Sequence, residues 1–460
     1  MANVILIDPD SGCPNTRPQL GTLHLAAMLL QQGVTVEILD LSVLPDGLAR
    51  LQALLNDNTI FVGISVVIGP MLRSGIAAAE IVRRFNPDLP VVWGGVHPST
   101  EPDTTLAHDA VDIVCLGEGE ETVLELYDAI ANGTSLHNVH SIGFMENGKP
   151  VFTRKRHEYF DLDSLPALPY HLIDLSLYKR GKGPEDFFGL KGEQILSIES
   201  TRGCAFRCTY CVNAAKREKF RKMSAEKVIS CVEDIVNQGV NSITFNDDNL
   251  FVDKRRAETI LNEIIRRGWK LEMFIAVRSD FLAAQDDAFY ELLIKAGVTM
   301  FGIGVESGSN RVLDHIRKKE GIDVTFEASK KLAKHGIKAW YHFIFGFPGE
   351  RREDLEATYR AMYRISATNP YAQVNLNQLI PNPGTPSCQE CFDMGWPVPK
   401  TMENWADVMV HTRRMGRPAY VDEELLDWFK EHLDGLVFPR REMPYIESAW
   451  NGHDLSWREV

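Results

Sequence analysis

The chain has 460 residues, too many for a single hydrophobic core, so two or three domains are expected. Its composition is that of a globular protein, 44% hydrophobic and 24% charged. A net charge of −14 argues against a broad nucleic-acid-binding face, which needs a basic surface. No uncharged apolar run is long enough to span a bilayer. Met1-Ala2-Asn3-Val4 passes directly into a strand-like stretch with no basic region before it, so no secretory signal is expected. A cytoplasmic location is therefore expected, where thiols stay reduced. The eight cysteines then read as ligands or core residues rather than disulfides.

The fold class expected is α/β. Residues 1–138 alternate short β-branched runs with helical patterns, the signature of a parallel sheet of Rossmann type. Strands are expected at Val4–Asp8, Val34–Asp40, Ile60–Val67, Pro90–Trp93 and Asp112–Leu116, with helices at Gly21–Gln32, Gly47–Leu55, Arg73–Phe85 and Glu120–Asn132. The turns after these strands carry Ile68-Gly69-Pro70, Gly94-Gly95-Val96-His97-Pro98 and Gly117-Glu118-Gly119-Glu120. In an open α/β sheet the carboxyl ends of the strands form the binding rim.

Residues 139–190 break this rhythm, with a hairpin around Asn147-Gly148 and a Leu-Pro-rich linker, Leu162 to Pro169. Residues 191–382 resume it with six more strands: Ile195–Glu199, Ser242–Asn246, Leu271–Val277, Met300–Val305, Lys338–Phe345 and Gln373–Ile380. Six βα units predict a partial (β/α)6 barrel of TIM type, with its active site at the strands' carboxyl ends. Residues 383–460 read as a small helical, irregular region that could cover the site. Trp396, Trp405, Trp428 and Trp450 there read mainly as packing residues.

The densest chemical signal is Cys204-Ala-Phe-Arg-Cys208-Thr-Tyr-Cys211, directly after the first barrel strand. Three thiolates on one short loop can take three corners of a [4Fe–4S] cluster and leave the fourth iron open to a small chelator. A closed structural zinc site needs four ligands, and no fourth Cys or His is near. Cys231 lies on an apolar helix face and reads as core. Cys388 and Cys391 form a lone C-x2-C, a weak metal signal taken as structural.

This spacing is the signature of the radical S-adenosylmethionine (SAM) superfamily, which the chain resembles over most of its length. The resemblance implies SAM contacts at Tyr210, at Asp247 and Asp248 in the loop after the second barrel strand, at Arg278, at Glu306 and Ser307, and at Ile380. Asn246-Asp247-Asp248-Asn249 departs from the Gly-Gly-Glu form common in that loop. By residue chemistry alone, Asp247 and Asp248 could instead cap the following helix or face solvent.

Pro18-Gln-Leu20-Gly21, Ser65-Val66-Val67, Gly94-Gly95-Val-His97-Pro98 and Gly117-Glu118-Gly119-Glu120, in this order on one sheet, resemble the cobalamin-binding domain of the cobalamin-dependent radical SAM family. That family includes C-methyltransferases and the anaerobic Mg-protoporphyrin cyclase. The resemblance implies cobalamin contacts at these residues and at Gly69. Glycines let the backbone approach a bulky corrin and its nucleotide tail, and rim amides suit its phosphate and amide groups. The Asp-x-His-x-x-Gly motif of histidine-ligated cobalamin is missing, so His97 is not read as the axial ligand. A cofactor-free α/β domain remains the plain alternative.

The function implied is transfer of a methyl group from SAM, via methylcobalamin, to an unactivated carbon. No side chain is assigned the chemistry itself. One alternative keeps the cobalamin but performs a cyclisation, ring rearrangement or oxygen insertion without net methyl transfer. Another, of a different class, is a cobalamin sensor, which would have no use for an open iron. The expected partners are a small-molecule or peptide substrate and an electron donor of flavodoxin or ferredoxin type, without nucleic acid or membrane.

Overall fold

The computed structural model describes residues 4–12, 16–156, 159–178, 190–216, 219–411 and 437–439. The first sheet contains β1 (Val4–Asp8), β2 (Val36–Asp40), β3 (Phe61–Val66), β4 (Val91–Gly95), β5 (Ile113–Cys115), β6 (Ile142–Glu146) and β7 (Lys149–Phe152). Its order is β2-β1-β3-β4-β5-β6-β7, with β1 to β5 parallel and the β6–β7 hairpin antiparallel. The hairpin therefore continues the first sheet past residue 138 by pairing with β5, rather than standing in the linker.

All five residues of β1 are buried, as a strand covered on both faces requires. Its period of two divides them between two cores. Val4 and Leu6 join a core that runs on through Leu162, Leu165 and Tyr170 of the linker into Leu196 and Ile243 of the second sheet. Ile5 and Ile7 join a core on the opposite face, with Trp93.

The linker is not simply extended. It makes three single 3-10 turns, at Leu162–Ser164, Tyr170–Leu172 and Leu175–Leu177, two of them capped by Asp161 and Asp174.

The second half opens with β8 (Ile195–Ile198), and a two-stranded ribbon of β9 (Thr201–Arg202) and β10 (Arg221–Lys222) comes next. Then come β11 (Ser242–Phe245), β12 (Glu272–Val277), β13 (Val298–Glu306), β14 (Lys338–Phe345) and β15 (Ala372–Gln378). The sheet order is β8-β11-β12-β13-β14-β15, all parallel, the open partial barrel anticipated. An unanticipated strand, β16 (Val437–Pro439), adds antiparallel to β15 within the region read as helical.

The helices that frame the site are α1 (Leu20–Gln31), α2 (Gly47–Leu54), α3 (Pro70–Phe85), α4 (Val96–Thr100), α5 (Pro102–Leu106), α6 (Glu120–Ala131) and α7 (Val212–Lys216). Of the C-terminal helices, Pro386–Asp393 and Met402–His411 put Cys388, Met402 and Trp405 into the core that also holds Leu72 and Val82 of α3. They cover the back of the first sheet. Trp396 is also buried in a core, and Trp428 and Trp450 lie outside the described residues. Among the described residues no helix is long and apolar enough to cross a membrane.

A candidate active site at the seam of the two sheets

The cysteine loop is anchored at its start, just past β8. Asp247, just past β11, accepts from the Ser200 and Thr201 N–H groups (2.5 and 2.9 Å) and from the Ser200 hydroxyl (2.6 Å). Buried Arg256 donates to Ser200 O and to Met223 O. Burial pushes the Asp247 carboxyl up to about 6, against those hydrogen bonds. Asp247 is thus committed to pinning the chain ahead of the cysteines and does not reach the cavity. Neither it nor Asp248 caps the next helix, where Asp253 accepts from Arg256 N–H (3.0 Å).

Beyond Gly203, the Thr209 N–H donates to Ile316 O (3.0 Å) and its hydroxyl meets Ser387 (2.8 Å), so both sides of the barrel mouth grip the loop. Burial raises the Cys208 and Cys211 thiols, Cys211 to about 11, and the neighbouring triad thiols add to the rise. Lys318 and Arg278 oppose it at Cys208. Thiols crowded in this way lose their protons when metal binds. Among the described residues no three His, Cys, Asp or Glu side chains converge tightly enough for a single ion, the triad included. A [4Fe–4S] cube presents separate irons, so its thiolates need not meet at one point.

Of the expected SAM contacts, Tyr210, Asp248 and Glu306 gather at the loop. The Tyr210 ring packs edge-on against Phe347 at 5.6 Å, and Asn382, two residues past Ile380, donates to the Tyr210 carbonyl. Burial, then the Glu306 carboxylate, pushes the Tyr210 hydroxyl far above its ordinary range. Asp248 accepts from Asn213 Nδ2 (2.6 Å).

Arg278 also lies at the loop but is held by protein partners, and Ser307 and Ile380 are engaged elsewhere. The Arg278 guanidinium lies 3.7 Å over the Phe206 ring, inside the cysteine loop, and binds Asp280 and the Lys318 carbonyl. Ser307 meets Thr358 on the helix Arg352–Thr368 (3.0 Å). Ile380 packs on the core behind the first sheet.

Three charged residues near the loop escaped the sequence reading. Lys318 lies 3.1 Å from Glu306 and 3.6 Å from Glu320. Buried Glu350 accepts from the Gly346 and Phe347 N–H groups (2.5 and 3.2 Å), and burial pushes it up to about 8. Lys318 and Glu320 sit in a run, Arg317-Lys318-Lys319-Glu320, that reads as solvated surface. The signal for Glu350 was Gly346-Phe347-Pro348-Gly349 at a strand's carboxyl end.

At the carboxyl-end rim of the first sheet lies a cavity of about 520 Å³. Leu20, Gly21, Ser65, Gly94, Gly95, Gly117, Glu118, Gly119 and Glu120 line it, all expected rim residues. Gly95 has φ +99°, and a Cβ there would lie 2.3 Å from Val66 O, so no side chain fits. The cavity deepens into an apolar slot against Leu6, Phe61, Val92 and Leu126, beside Gly63. Cys115 also lines it.

Five expected rim residues do not line the cavity. Val66 is buried in the sheet, Val67 is exposed, and Gly69 is the left-handed N-cap of α3. Pro98 is buried in α4. His97 is fully buried with neither ring nitrogen paired, its ring edge-on to Trp405 at 5.9 Å. Because the chain turns into α4 at Val96, the His97 side chain points behind the sheet. Burial pushes its imidazole down to about 4.

The opposite wall of the same cavity is Glu199, Arg202, Gly203, Cys211, Val212, Asn213 and Asp248. Rim and cysteine loop thus enclose one space. Arg202 crosses the seam to Glu120 (2.6 Å) and Glu118 (3.5 Å) while holding Glu199 (2.7 Å). Its register partner on the ribbon, Arg221, also pairs with Glu118.

With this geometry in view, the chain matches two family models. Residues 14–127 match the B12 binding domain and residues 198–362 the radical SAM superfamily. The chain belongs to the cobalamin-dependent radical SAM family. It is 29% identical over 384 residues to an uncharacterized methyltransferase of Pyrococcus horikoshii, covering 80% of this chain and 77% of that one. An anaerobic magnesium-protoporphyrin IX monomethyl ester cyclase of Synechocystis is 27% identical over 363 residues, 75% of this chain and 68% of that one. The fold resembles the radical SAM methyltransferase TsrM from Kitasatospora setae, solved with cobalamin and a [4Fe–4S] cluster. That likeness has a TM-score of 0.68 at 21% identity, over 87% of this chain and 76% of that one.

The residues of this radical SAM protein fit the family's cofactors. Three thiols on one anchored loop suit a cluster with one open iron. The glycine rim leaves room for a macrocycle, and the slot behind it offers apolar walls for a flat base.

Proposed function

We propose that the enzyme transfers a methyl group from SAM, through methylcobalamin, to an unactivated carbon of a small-molecule or peptide substrate. The observation that carries this reading is the single cavity walled by the glycine rim on one side and by Cys211, Gly203 and Asp248 on the other. When bound, the cluster and SAM supply a hydrogen-abstracting radical, and cobalamin supplies the methyl group.

The chain's own residues supply position and shielding. Asp247 and Arg256 hold the chain ahead of the cysteines. Arg278 clamps Phe206 within the cysteine loop, and Tyr210 with Phe347 forms an apolar shelf at its end. Asp248, oriented by Asn213, and Glu306, held by Lys318, offer carboxylates to the ammonium and hydroxyl groups of SAM. Leu6, Phe61, Val92 and Leu126 give the floor of the cavity apolar walls that offer water no hydrogen bonds.

The test is the fate of methyl-labelled SAM in the anaerobically loaded enzyme under reducing conditions. Label recovered on cobalamin, and then in the substrate, supports methyl transfer. Label retained wholly in methionine, with 5′-deoxyadenosine formed, contradicts it. That outcome favours a cyclisation or rearrangement, the reading to which the likeness to the Synechocystis cyclase lends support.

A further inference from the structure

Lys318 lies between the cysteine loop and the end of β13. Its ammonium is 3.1 Å from Glu306 and 3.6 Å from Glu320, and all three side chains are less than a tenth exposed. The backbone is bent to bring them together. Glu306, Arg317 and Lys319 have φ of 72°, 56° and 58°. Non-glycine residues hold such conformations only where their surroundings enforce them, and they cluster at functional sites. Gly304 supplies the space, since a Cβ there would lie 2.4 Å from Glu306 Oε1 and 3.3 Å from Lys318 Nζ.

The same segment is docked onto the cysteine loop. Ile316 O accepts from Thr209 N–H (3.0 Å), and Arg317 O lies 3.9 Å from the Cys208 sulfur. The Lys318 carbonyl accepts from Arg278 (3.0 Å), whose guanidinium covers Phe206. Burial pushes the Lys318 ammonium down, but Glu306 and Glu320 outweigh it and keep the group charged. Burying charges is costly, and a purely structural contact here could be made by neutral groups. A buried charge is also poorly screened, and Lys318 acts on the Cys208 thiol in the direction that favours the thiolate, against burial.

We infer that Lys318 is a positioning residue for charge, whose buried ammonium, offset by Glu320, sets the reduction potential of the cluster held through Cys208. A cluster gains negative charge on reduction, so a nearby cation favours the reduced form and a nearby carboxylate disfavours it. The inference rests on the [4Fe–4S] reading of the cysteine triad.

The test is a redox titration of the full-length, anaerobically reconstituted protein, monitored by electron paramagnetic resonance, with iron content measured for each variant. Lys318→Met shifts the midpoint potential negative, Glu320→Gln shifts it positive, and Lys318→Arg leaves it near the wild-type value. Opposite shifts at matched iron content support the inference. Unchanged potentials, or shifts of one sign, overturn it. If Lys318→Met holds no cluster, Glu320→Gln decides alone: a positive shift supports the inference and no shift overturns it. A wild-type protein without an iron–sulfur signal is a different result, and refutes the cluster reading itself.

Discussion

Arg202 lies two residues before Cys204 and donates to Glu120, on the rim of the other sheet, at 2.6 Å. Both side chains are nearly buried, at 11% and 6% exposure. Burial alone would raise the Glu120 carboxyl, but the Arg202 guanidinium holds it below its ordinary value. One ion pair therefore joins the glycine-containing turn on one wall of the cavity to the loop that carries the cysteines on the other.

Removing one partner of such a pair strands the other as a buried charge, which costs about 3–5 kcal/mol. Arg202→Met is expected to lose stability of that order in urea denaturation. Combining it with Glu120→Gln should recover part of the loss, because the stranded charge is then removed. A double variant no more stable than Arg202→Met alone would show that the pair is not the coupling element.

Replacing Cys204, Cys208 or Cys211 singly by Ala is expected to abolish the visible iron–sulfur absorbance and leave circular dichroism unchanged. Cys388→Ser and Cys391→Ser should keep full iron content, because both thiols are buried in apolar cores. Iron analysis of the five variants checks this.

Gly21 and Gly95 both line the cavity but differ in what surrounds them. A Cβ on Gly21 meets nothing within 4 Å, and the residue is helical, so Gly21→Ala should be neutral or stabilising by about 0.5–1 kcal/mol. It should nonetheless weaken cobalamin binding by intruding into the cavity. Gly95→Ala meets Val66 O at a left-handed φ and should cost stability outright, about 1–3 kcal/mol. Thermal melts with and without hydroxocobalamin separate the two effects.

Glu350 provides a pH test. Burial lifts its carboxyl from 4.5 to about 8, so the folded protein binds this proton more tightly than the unfolded chain. Its contribution to stability is present in full below pH 4.5 and is lost as pH rises towards 8. Glu350→Gln keeps an oxygen for the Gly346 and Phe347 N–H groups and does not ionise. The variant should gain Tm relative to wild type as pH rises through that window. A constant difference across the window would contradict the raised value.

Much of this architecture was legible in the sequence, because β1, the helices and the six barrel strands carry their periods locally. The cysteine spacing and the Gly-Gly and Gly-Glu-Gly-Glu turns were legible for the same reason, being short and contiguous. Other features depend on distant partners. His97 looked like a rim residue until α4 turned it towards Trp405, 308 positions away in the chain (405 − 97). Arg278 sits at a strand's carboxyl end, as a substrate contact would, yet Phe206 and Asp280 occupy it. Lys318 and Glu320 look like surface charges until the left-handed residues at 317 and 319 fold them inward. The short strand Val437–Pro439 carries too few residues to show a period, and only β15 defines it.

The central claim is that cobalamin and the cluster face one another across a single cavity. Electron paramagnetic resonance of the reduced cluster, recorded with and without paramagnetic cobalt in bound cobalamin, tests it most directly. The account predicts a cluster signal broadened and relaxed faster by the nearby cobalt. Identical signals in the two samples, with both cofactors bound in full, would contradict it.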